Sequence, residues 1–211
     1  MDKKVVMCGI DISQWNVVTD FNKVKAAGYE FVIVRLVGCK TYKYHDSKGL
    51  EHLQRAKEAG LHVGAYCYVN PDKIGYNGLD DALYFLNYIP GSIHLDMPVY
   101  LDVEGWNKNR IANTEYVIDF METLENRGFF AGIYGSDIST FKDLLLRDKL
   151  TPYSWWVARY GKEPTYATQN LHMWQHKSTG QVPGIVGNVD LNYCYIDFPK
   201  IIESKHLNIR R

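Results

Sequence analysis

The chain has 211 residues, of which 46% are hydrophobic and 23% are charged, so it can bury a substantial core in one large domain. Its formal net charge is zero at pH 7, and it lacks the basic excess that is typical of nucleic-acid-binding proteins. No apolar run is long enough to span a bilayer, so the sequence predicts no transmembrane helix.

Eight short segments rich in β-branched and aromatic residues predict eight β-strands. In chain order they are Val5–Ile12, Phe31–Val37, His62–Val69, Pro98–Glu104, Phe130–Gly135, Ser154–Tyr160, Leu171–His176 and Val189–Tyr195. The first several are near-continuous apolar runs, which is typical of strands that are buried on both faces of a sheet.

Helical patterns occupy the first five gaps between these strands. The clearest apolar stripes are Leu79, Ala82, Leu83 and Leu86, then Val117, Phe120, Met121 and Leu124, and more loosely Ile138, Phe141, Leu144 and Leu145. Gly28, Gly60 and Gly128 each follow a predicted helix and precede a strand, as expected for glycines that close a last helical turn. Strands and helices therefore alternate along this part of the chain.

Alternating strands and helices predict a parallel sheet, and eight strands predict its closure into a barrel. The segments after the fifth helix are short and rich in Gly, Pro and Thr, so we expect a single-domain α/β protein with a TIM-like (β/α)5β3 barrel. An open doubly wound sheet is the alternative, but no GxGxxG follows the first strand. We assign residues 1–198 to the barrel and 199–211 to a tail that is either a last helix or the start of a linker.

Acidic residues lie where the functional site of such a barrel is expected, at the strand ends. Asp102 and Glu104 are two residues apart on the fourth strand and share a face, about 6.6 Å apart along the backbone. Two carboxyl groups in one pocket raise each other's pKa, and glycoside hydrolysis uses such a pair. Asp11 ends the first strand, while Asp190 is either a site residue or a turn residue.

Other chemistries fit the sequence less well. The seven histidines form no HExxH motif, Ser136 is not in a GxSxG elbow, and no CxxC pair occurs. We therefore expect neither a metal nor another cofactor. The four cysteines are Cys8, Cys39, Cys67 and Cys194. Three of them lie within predicted strands, where a free buried thiol is the usual state, and disulfides are the alternative. This pattern favours synthesis in a reducing compartment.

Several of these segments together resemble glycoside hydrolase family 25, the Chalaropsis-type lysozymes, over nearly the whole chain. The matching segments are Gly9–Trp15, Val63–Tyr66, Tyr100–Glu104, Gly132–Tyr134, Trp156–Tyr160, Met173–Gln175, Val182–Ile185 and Val189–Asn192. The segment Arg35–Lys40, after the second strand, departs from the family pattern, which often has Glu-Gly there. That departure affects the expected groove and leaves the carboxylates intact.

The resemblance implies an N-acetylmuramidase that hydrolyses the β-1,4 bond between N-acetylmuramic acid and N-acetylglucosamine in peptidoglycan. It also implies a barrel with five full helices and an acidic cluster of Asp11, Asp102, Glu104 and Asp190. Glu104 would be the general acid, and Asp102 would orient the substrate's own N-acetyl group, with direct attack by water as the alternative. Groove residues are expected to be Tyr66, Trp106, Tyr134, Trp156 and Gln175, with Trp106 at the rim.

Two other functions compete with this interpretation: a glycan-binding barrel without catalysis, and a glycosidase that acts on another polysaccharide. We expect a monomer that acts on bacterial cell walls outside the cytoplasm. Asp11 interrupts the first apolar stretch, so no clear signal peptide is present. Three explanations fit this absence: release through a phage-encoded pore, another export route, or a leader missing from this chain. Three origins also stay open, which are a phage endolysin, a bacterial autolysin and a eukaryotic digestive lysozyme.

Overall fold

The computed structural model describes residues 3–209, except for the side chain of Ile74. The strands are β1 (Met7–Ile12), β2 (Val17–Val18), β3 (Phe31–Cys39), β4 (Lys43–His45), β5 (His62–Val69), β6 (Val99–Val103), β7 (Ala131–Ser136), β8 (Ser154–Ala158), β9 (Leu171–Gly180), β10 (Ile185–Val186) and β11 (Val189–Cys194). The helices are α1 (Phe21–Ala26), α2 (Gly49–Glu58), α3 (Pro71–Ile74), α4 (Gly78–Tyr88), α5 (Arg110–Asn126) and α6 (Phe198–Ser204).

Eight strands close into a barrel in the order β1, β3, β5, β6, β7, β8, β9 and β11, and β11 pairs back to β1. Neighbours from β1 through β9 are parallel, whereas β11 runs antiparallel to both β9 and β1. Each predicted strand overlaps one of these eight. The prediction of a closed, mainly parallel barrel is therefore confirmed, and the open sheet is excluded.

The prediction of a fifth full helix is wrong. The connection after β7 consists of turns and a short 3-10 helix, Arg147–Lys149, although Phe141 and Leu145 are buried as their spacing predicted. The Thr140 hydroxyl donates to the carbonyl of Val103 (2.8 Å) and accepts the N–H of Ser136 (3.1 Å). The backbone after β7 mixes helical bonds with longer ones, because the carbonyl of Ser136 accepts the N–H of both Thr140 (3.2 Å) and Phe141 (3.0 Å), and these residues form no regular helical ladder.

Alternate residues of each strand face two different apolar layers. Residues such as Phe31, Tyr100 and Trp156 form an inner cluster, while their neighbours Val32, Leu101 and Trp155 pack in the outer cluster. Gly9 makes this filling possible, because a Cβ atom there would lie 2.4 Å from the ring of Phe31. Among the described helices none is both long and apolar enough to cross a membrane.

The tail forms a last helix, α6, and packs at the end of the barrel where the parallel strands begin. Phe198 and Ile202 of α6 are fully buried in the inner cluster. Beyond α6, the Asn208 side chain donates to the carbonyls of Leu95 (2.9 Å) and Met97 (3.0 Å) and accepts the N–H of Phe130 (2.8 Å). The residues up to Asn208 are thus anchored to the barrel.

Replacing Asn208 by Ala should lower the free energy of unfolding by about 3 kcal/mol, because buried backbone groups at three positions lose their partner at about 1–3 kcal/mol each. Alanine also fits the left-handed backbone of this position (φ 58°) poorly. Urea unfolding followed by circular dichroism measures the change. Exposed Asn126→Ala is the matched control and should unfold like the parent, whereas equal stability of Asn208→Ala would contradict this anchoring role.

Candidate active site

The barrel brings the four predicted carboxyl groups to one mouth. Asp11 lies directly opposite Asp190 in the antiparallel pairing of β1 with β11. Because β11 runs against the other strands, its beginning lies where they end, which places Asp190 at the mouth and not in an isolated turn. Asp102 lies in β6, and Glu104 is the first residue after that strand.

Asp11 is buried and held by two amide side chains. Its Oδ2 accepts a hydrogen bond from Asn192 Nδ2 (2.8 Å) and one from Gln175 Nε2 (3.0 Å). Asn192 is fixed in turn by the indole N–H of Trp156, which donates to its Oδ1 (2.8 Å). Since an indole N–H can only donate, it forces the Asn192 amide nitrogen to face Asp11.

Two tyrosine hydroxyls orient the other amide. Tyr134 and Tyr160 donate to Gln175 Oε1 at 2.9 Å and 2.7 Å. The Gln175 nitrogen is thereby directed to Asp11, so β7, β8, β9 and β11 all contribute to the position of one carboxyl group. Polar networks that are satisfied in this way rigidify a site.

Asp102 is buried with an unpaired oxygen. Its side chain points into the barrel, and its Oδ1 has no hydrogen-bond partner among the described residues. Burial raises its pKa well above the ordinary value, and Glu104 and then Asp11 raise it further, while Arg35 opposes the increase. A buried acceptor without a partner costs free energy, so this oxygen is suited to a donor that arrives with a ligand.

Glu104 lies at the open side of the same mouth. Its side chain is exposed, but the protein around its carboxyl group excludes enough water to raise the pKa, and a hydrogen bond with Tyr134 partly opposes the increase. Among the four acidic residues Glu104 is the most exposed, so it combines a raised pKa with access for a large substrate.

Crowding and burial also act on the Asp11–Asp190 pair. Burial, and next the charge of Asp190, raise the pKa of Asp11 to about 8, although the two amides lower it. Burial, and next Glu104, raise the pKa of Asp190 to about 6, against a lowering hydrogen bond from Asp11. At neutral pH Asp11 therefore keeps its proton and donates it in a hydrogen bond to Asp190.

Four of the five expected groove residues lie in or beside this mouth. Tyr134 and Gln175 bond to the acidic network, and Tyr66 packs edge-on against Trp156 (6.2 Å between ring centroids). Trp156 is only 1% exposed, so it supports Tyr134 and Asn192 from below and presents no free face to a sugar. The charges of Asp11 and Asp102 also act on the Tyr66 hydroxyl.

The expected position of Trp106 at the rim is wrong. Its indole is 5% exposed, donates to the carbonyl of Val69 (2.6 Å) and packs against Tyr116 of α5 (5.2 Å between ring centroids). The left-handed Gly105 (φ 70°) turns the chain directly after Glu104. This turn directs the large apolar ring of Trp106 into the layer between barrel and helices, where its N–H is still satisfied.

Three residues of the mouth were not predicted: Asn192, Tyr160 and Arg35. Arg35 pairs with buried Asp46 (2.7 Å) and lies near enough to Asp102 to lower its pKa. Their positions in the sequence could have indicated them. Tyr160 and Asn192 lie within segments that match the family pattern, and Arg35 is a charged residue within the otherwise apolar β3. Within residues 3–209, no three His, Cys, Asp or Glu side chains converge as a metal site.

A closed β/α barrel with carboxyl groups at the carboxyl ends of its strands is an arrangement on which acid–base glycoside hydrolysis can be built. A model of the glycosyl hydrolases family 25 matches residues 10–185. The chain therefore belongs to glycosyl hydrolase family 25, as its sequence motifs predicted.

Named relatives agree with this membership. The autolytic lysozyme of Clostridium acetobutylicum is 31% identical over 196 residues, which are 88% of this chain and 55% of that protein. The CTP1L endolysin structure is 27% identical with a TM-score of 0.79, over 94% of this chain and 70% of that one. The lysozyme structure from Streptomyces coelicolor is 25% identical with a TM-score of 0.74, over 89% and 91%. This chain thus spans about half the length of the clostridial relative.

As pH rises, the parent should lose stability relative to the Asp11→Asn variant. A folded-state pKa of about 8, raised above the unfolded value of about 3.9, means that the stability contributed by protonated Asp11 is complete below about pH 4 and is lost through pH 8. From pH 6 to pH 8 the parent should lose at least about 2–4 °C in Tm relative to Asp11→Asn, the shift that about 1 kcal/mol produces in a domain of this size.

Differential scanning calorimetry at several pH values measures this difference. The two proteins share every other titrating group, so the comparison reports the titration of Asp11 together with its effect on Asp190 and Asp102. Exposed Asp119→Asn serves as the control and should follow the parent at each pH. If Asp11→Asn and the parent keep a constant difference in Tm from pH 6 to 8, Asp11 does not carry a raised pKa.

Proposed function

We propose that this protein is a lysozyme, an N-acetylmuramidase that hydrolyses the β-1,4 bond between N-acetylmuramic acid and N-acetylglucosamine in bacterial peptidoglycan. The observation that carries the proposal is the acidic mouth, where Asp102 and Glu104 lie at the end of β6 and Asp11 and Asp190 face them from β1 and β11 across the barrel. The autolytic lysozyme, the endolysin and the bacterial lysozyme to which the chain is similar support the same substrate.

Glu104 acts as the general acid. It is the most accessible of the four carboxyl groups, and its raised pKa keeps a proton available for the glycosidic oxygen as the bond to the anomeric carbon breaks. Its neighbours Asp102 and Asp11 lie deeper, so a polysaccharide that crosses the mouth reaches Glu104 first. After bond cleavage the Glu104 carboxylate can take a proton back from the incoming water.

Asp102 positions the substrate. Its unpaired Oδ1 can accept the N–H of the acetamido group of N-acetylmuramic acid, which directs the acetamido oxygen to the anomeric carbon. The carbonyl oxygen then displaces the leaving group protonated by Glu104, and water opens the resulting ring to restore the acetamide. Direct attack by water is the alternative, and in that case Asp102 would stabilise the positive charge that develops on the sugar ring.

Asp11 and Asp190 keep the charge of the mouth low. Protonated Asp11 donates to Asp190, so the pair carries at most one negative charge near neutral pH. A second charge there would raise the cost of ionising Asp102 at the moment when its carboxylate is needed. We propose that the protein acts in this way as a monomer on cell walls outside the cytoplasm.

The direct test is digestion of purified Gram-positive cell walls, followed by reduction of the new chain ends with borohydride. A muramidase yields reduced muramic acid, whereas a glucosaminidase yields reduced glucosamine. Glu104→Gln should lower turnover by roughly 10²-fold or more, because it keeps the size of the side chain and removes the transferable proton. Asp102→Asn should also lose most activity.

Exposed Glu115→Gln on α5 is the matched control and should retain parental activity. Circular dichroism should show that Glu104→Gln is folded. Parental turnover by Glu104→Gln would show that another group is the acid. Wall binding by the parent without release of any reducing ends would instead favour a glycan-binding barrel, and reduced glucosamine would contradict the specificity.

A further inference from the structure

One aromatic side chain near the mouth, that of Trp15, is largely exposed to solvent. Trp15 lies in the loop after β1, four residues beyond Asp11, and 78% of its surface is exposed. Among the described residues none makes a hydrogen bond or ring contact with its indole. The loops that follow the parallel strands surround the mouth of the barrel, so this loop belongs to the same face as the carboxyl groups.

Other exposed aromatic residues are held by partners. Tyr42 lies against Tyr44 (5.8 Å between ring centroids), and the ring of Tyr166 lies 4.8 Å from the ammonium group of Lys142. The hydroxyls of Tyr76 and Tyr160 bond to Asp72 (2.6 Å) and Gln175 (2.7 Å). Trp15 differs from all of them, because 78% of its surface is exposed and its indole has no hydrogen-bond or ring partner among the described residues.

The turn that carries Trp15 is tightly fixed. Gln14 and Trp15 are the two central residues of a turn in which Asn16 N–H bonds to the carbonyl of Ser13 (3.0 Å). The Asn16 side chain closes the turn from the other side by accepting the N–H of Ser13 (2.9 Å). An exposed ring on a rigid turn loses little freedom on binding a ligand, which favours affinity.

A buried ion pair attaches this turn to the next loop. The Asp46 carboxylate accepts the N–H of Gln14 (3.0 Å) and pairs with Arg35 (2.7 Å), whose charge also acts on Asp102. The side chain of Gln14 accepts the N–H of Ser47 (3.1 Å). Trp15 is therefore held in a fixed position relative to the acidic mouth through Asp46 and Arg35.

We propose that Trp15 is a substrate-binding residue, a platform on which a pyranose ring of the glycan strand stacks beside the cleavage site. The inference rests on the muramidase function proposed above. A flat indole face matches the C–H face of a β-linked N-acetylhexosamine, and burying it removes apolar surface from water. Asp46 is a positioning residue for this platform, because its buried carboxylate bonds to the backbone of the turn.

The test uses the Glu104→Gln protein, which binds glycan without cutting it, and a linear glycan of alternating N-acetylglucosamine and N-acetylmuramic acid without stem peptides. Adding Trp15→Ala should weaken binding about tenfold by calorimetry, while Trp15→Phe should stay within about threefold. Glycan should also shift tryptophan fluorescence in Glu104→Gln, and Trp15→Ala should abolish most of that shift. Trp106, Trp155 and Trp156 are at most 5% exposed, and the partly buried Trp174 is held by its indole N–H, which donates to the carbonyl of Arg159 (2.8 Å).

In the active background, Trp15→Ala should raise KM about tenfold and leave kcat within about twofold, because a platform away from the reacting bond binds substrate and transition state alike. Ile209→Ala removes another exposed apolar side chain, beside Asn208 at the opposite end of the barrel, and should change neither constant. Equal glycan affinity with and without Trp15→Ala overturns this inference and leaves the muramidase function intact. No glycan binding by Glu104→Gln and no reducing ends from the parent would overturn both.

Discussion

The structure depends on one buried carboxyl group, that of Asp11, held between two amides at the mouth of a barrel filled by apolar side chains. Asn192 and Gln175 both donate to the same oxygen, and each amide is oriented by a further side chain. Moving either amide would leave a buried polar group unpaired at about 1–3 kcal/mol. The register between β1, β9 and β11 is therefore tied to the geometry of the site.

This arrangement explains why the last strand runs against the others. An antiparallel β11 places Asp190 opposite Asp11, so two carboxyl groups from different strands face each other at one level of the barrel. Two ionised carboxyl groups that face each other in a buried site repel strongly, so the pair holds a proton. The same crowding reaches Asp102 and Glu104 on β6, so the acidity of the mouth is a collective property of three strands.

Much of the barrel could be predicted from the sequence, because strands that are buried on both faces must be continuously apolar and glycines must close the helices between them. Asp102 and Glu104 could be predicted for a related reason, since charge at the end of a buried strand needs a function. The fifth helix could not, because its apolar residues do have helical spacing. Spacing alone does not show that the backbone after β7 mixes bonds to the fourth and fifth preceding residues and forms no regular ladder.

The direction of individual side chains could not be predicted from the sequence either. Trp106 has the composition of a groove residue, but the turn at Gly105 directs it to α5, and only the folded chain shows this. For the tail, the sequence does not distinguish a last helix from a linker, because a short segment of this composition fits both. The amides of Asn192 and Gln175 carry no charge and have no distinctive spacing, so their joint attachment to Asp11 could not be seen before β9 and β11 were aligned.

The central claim is that the barrel mouth retains protons on carboxyl groups that would ionise near pH 4 in water. The most direct measurement is a titration of the side-chain carboxyl carbons by ¹³C NMR in protein labelled at Asp and Glu, with each signal assigned by single Asn or Gln substitutions. The account predicts that Asp11 titrates near pH 8, Asp190 near pH 6, and Asp102 and Glu104 above their ordinary ranges. Ionisation of all four groups at or below about pH 4.3, as in unstructured peptides, would contradict it.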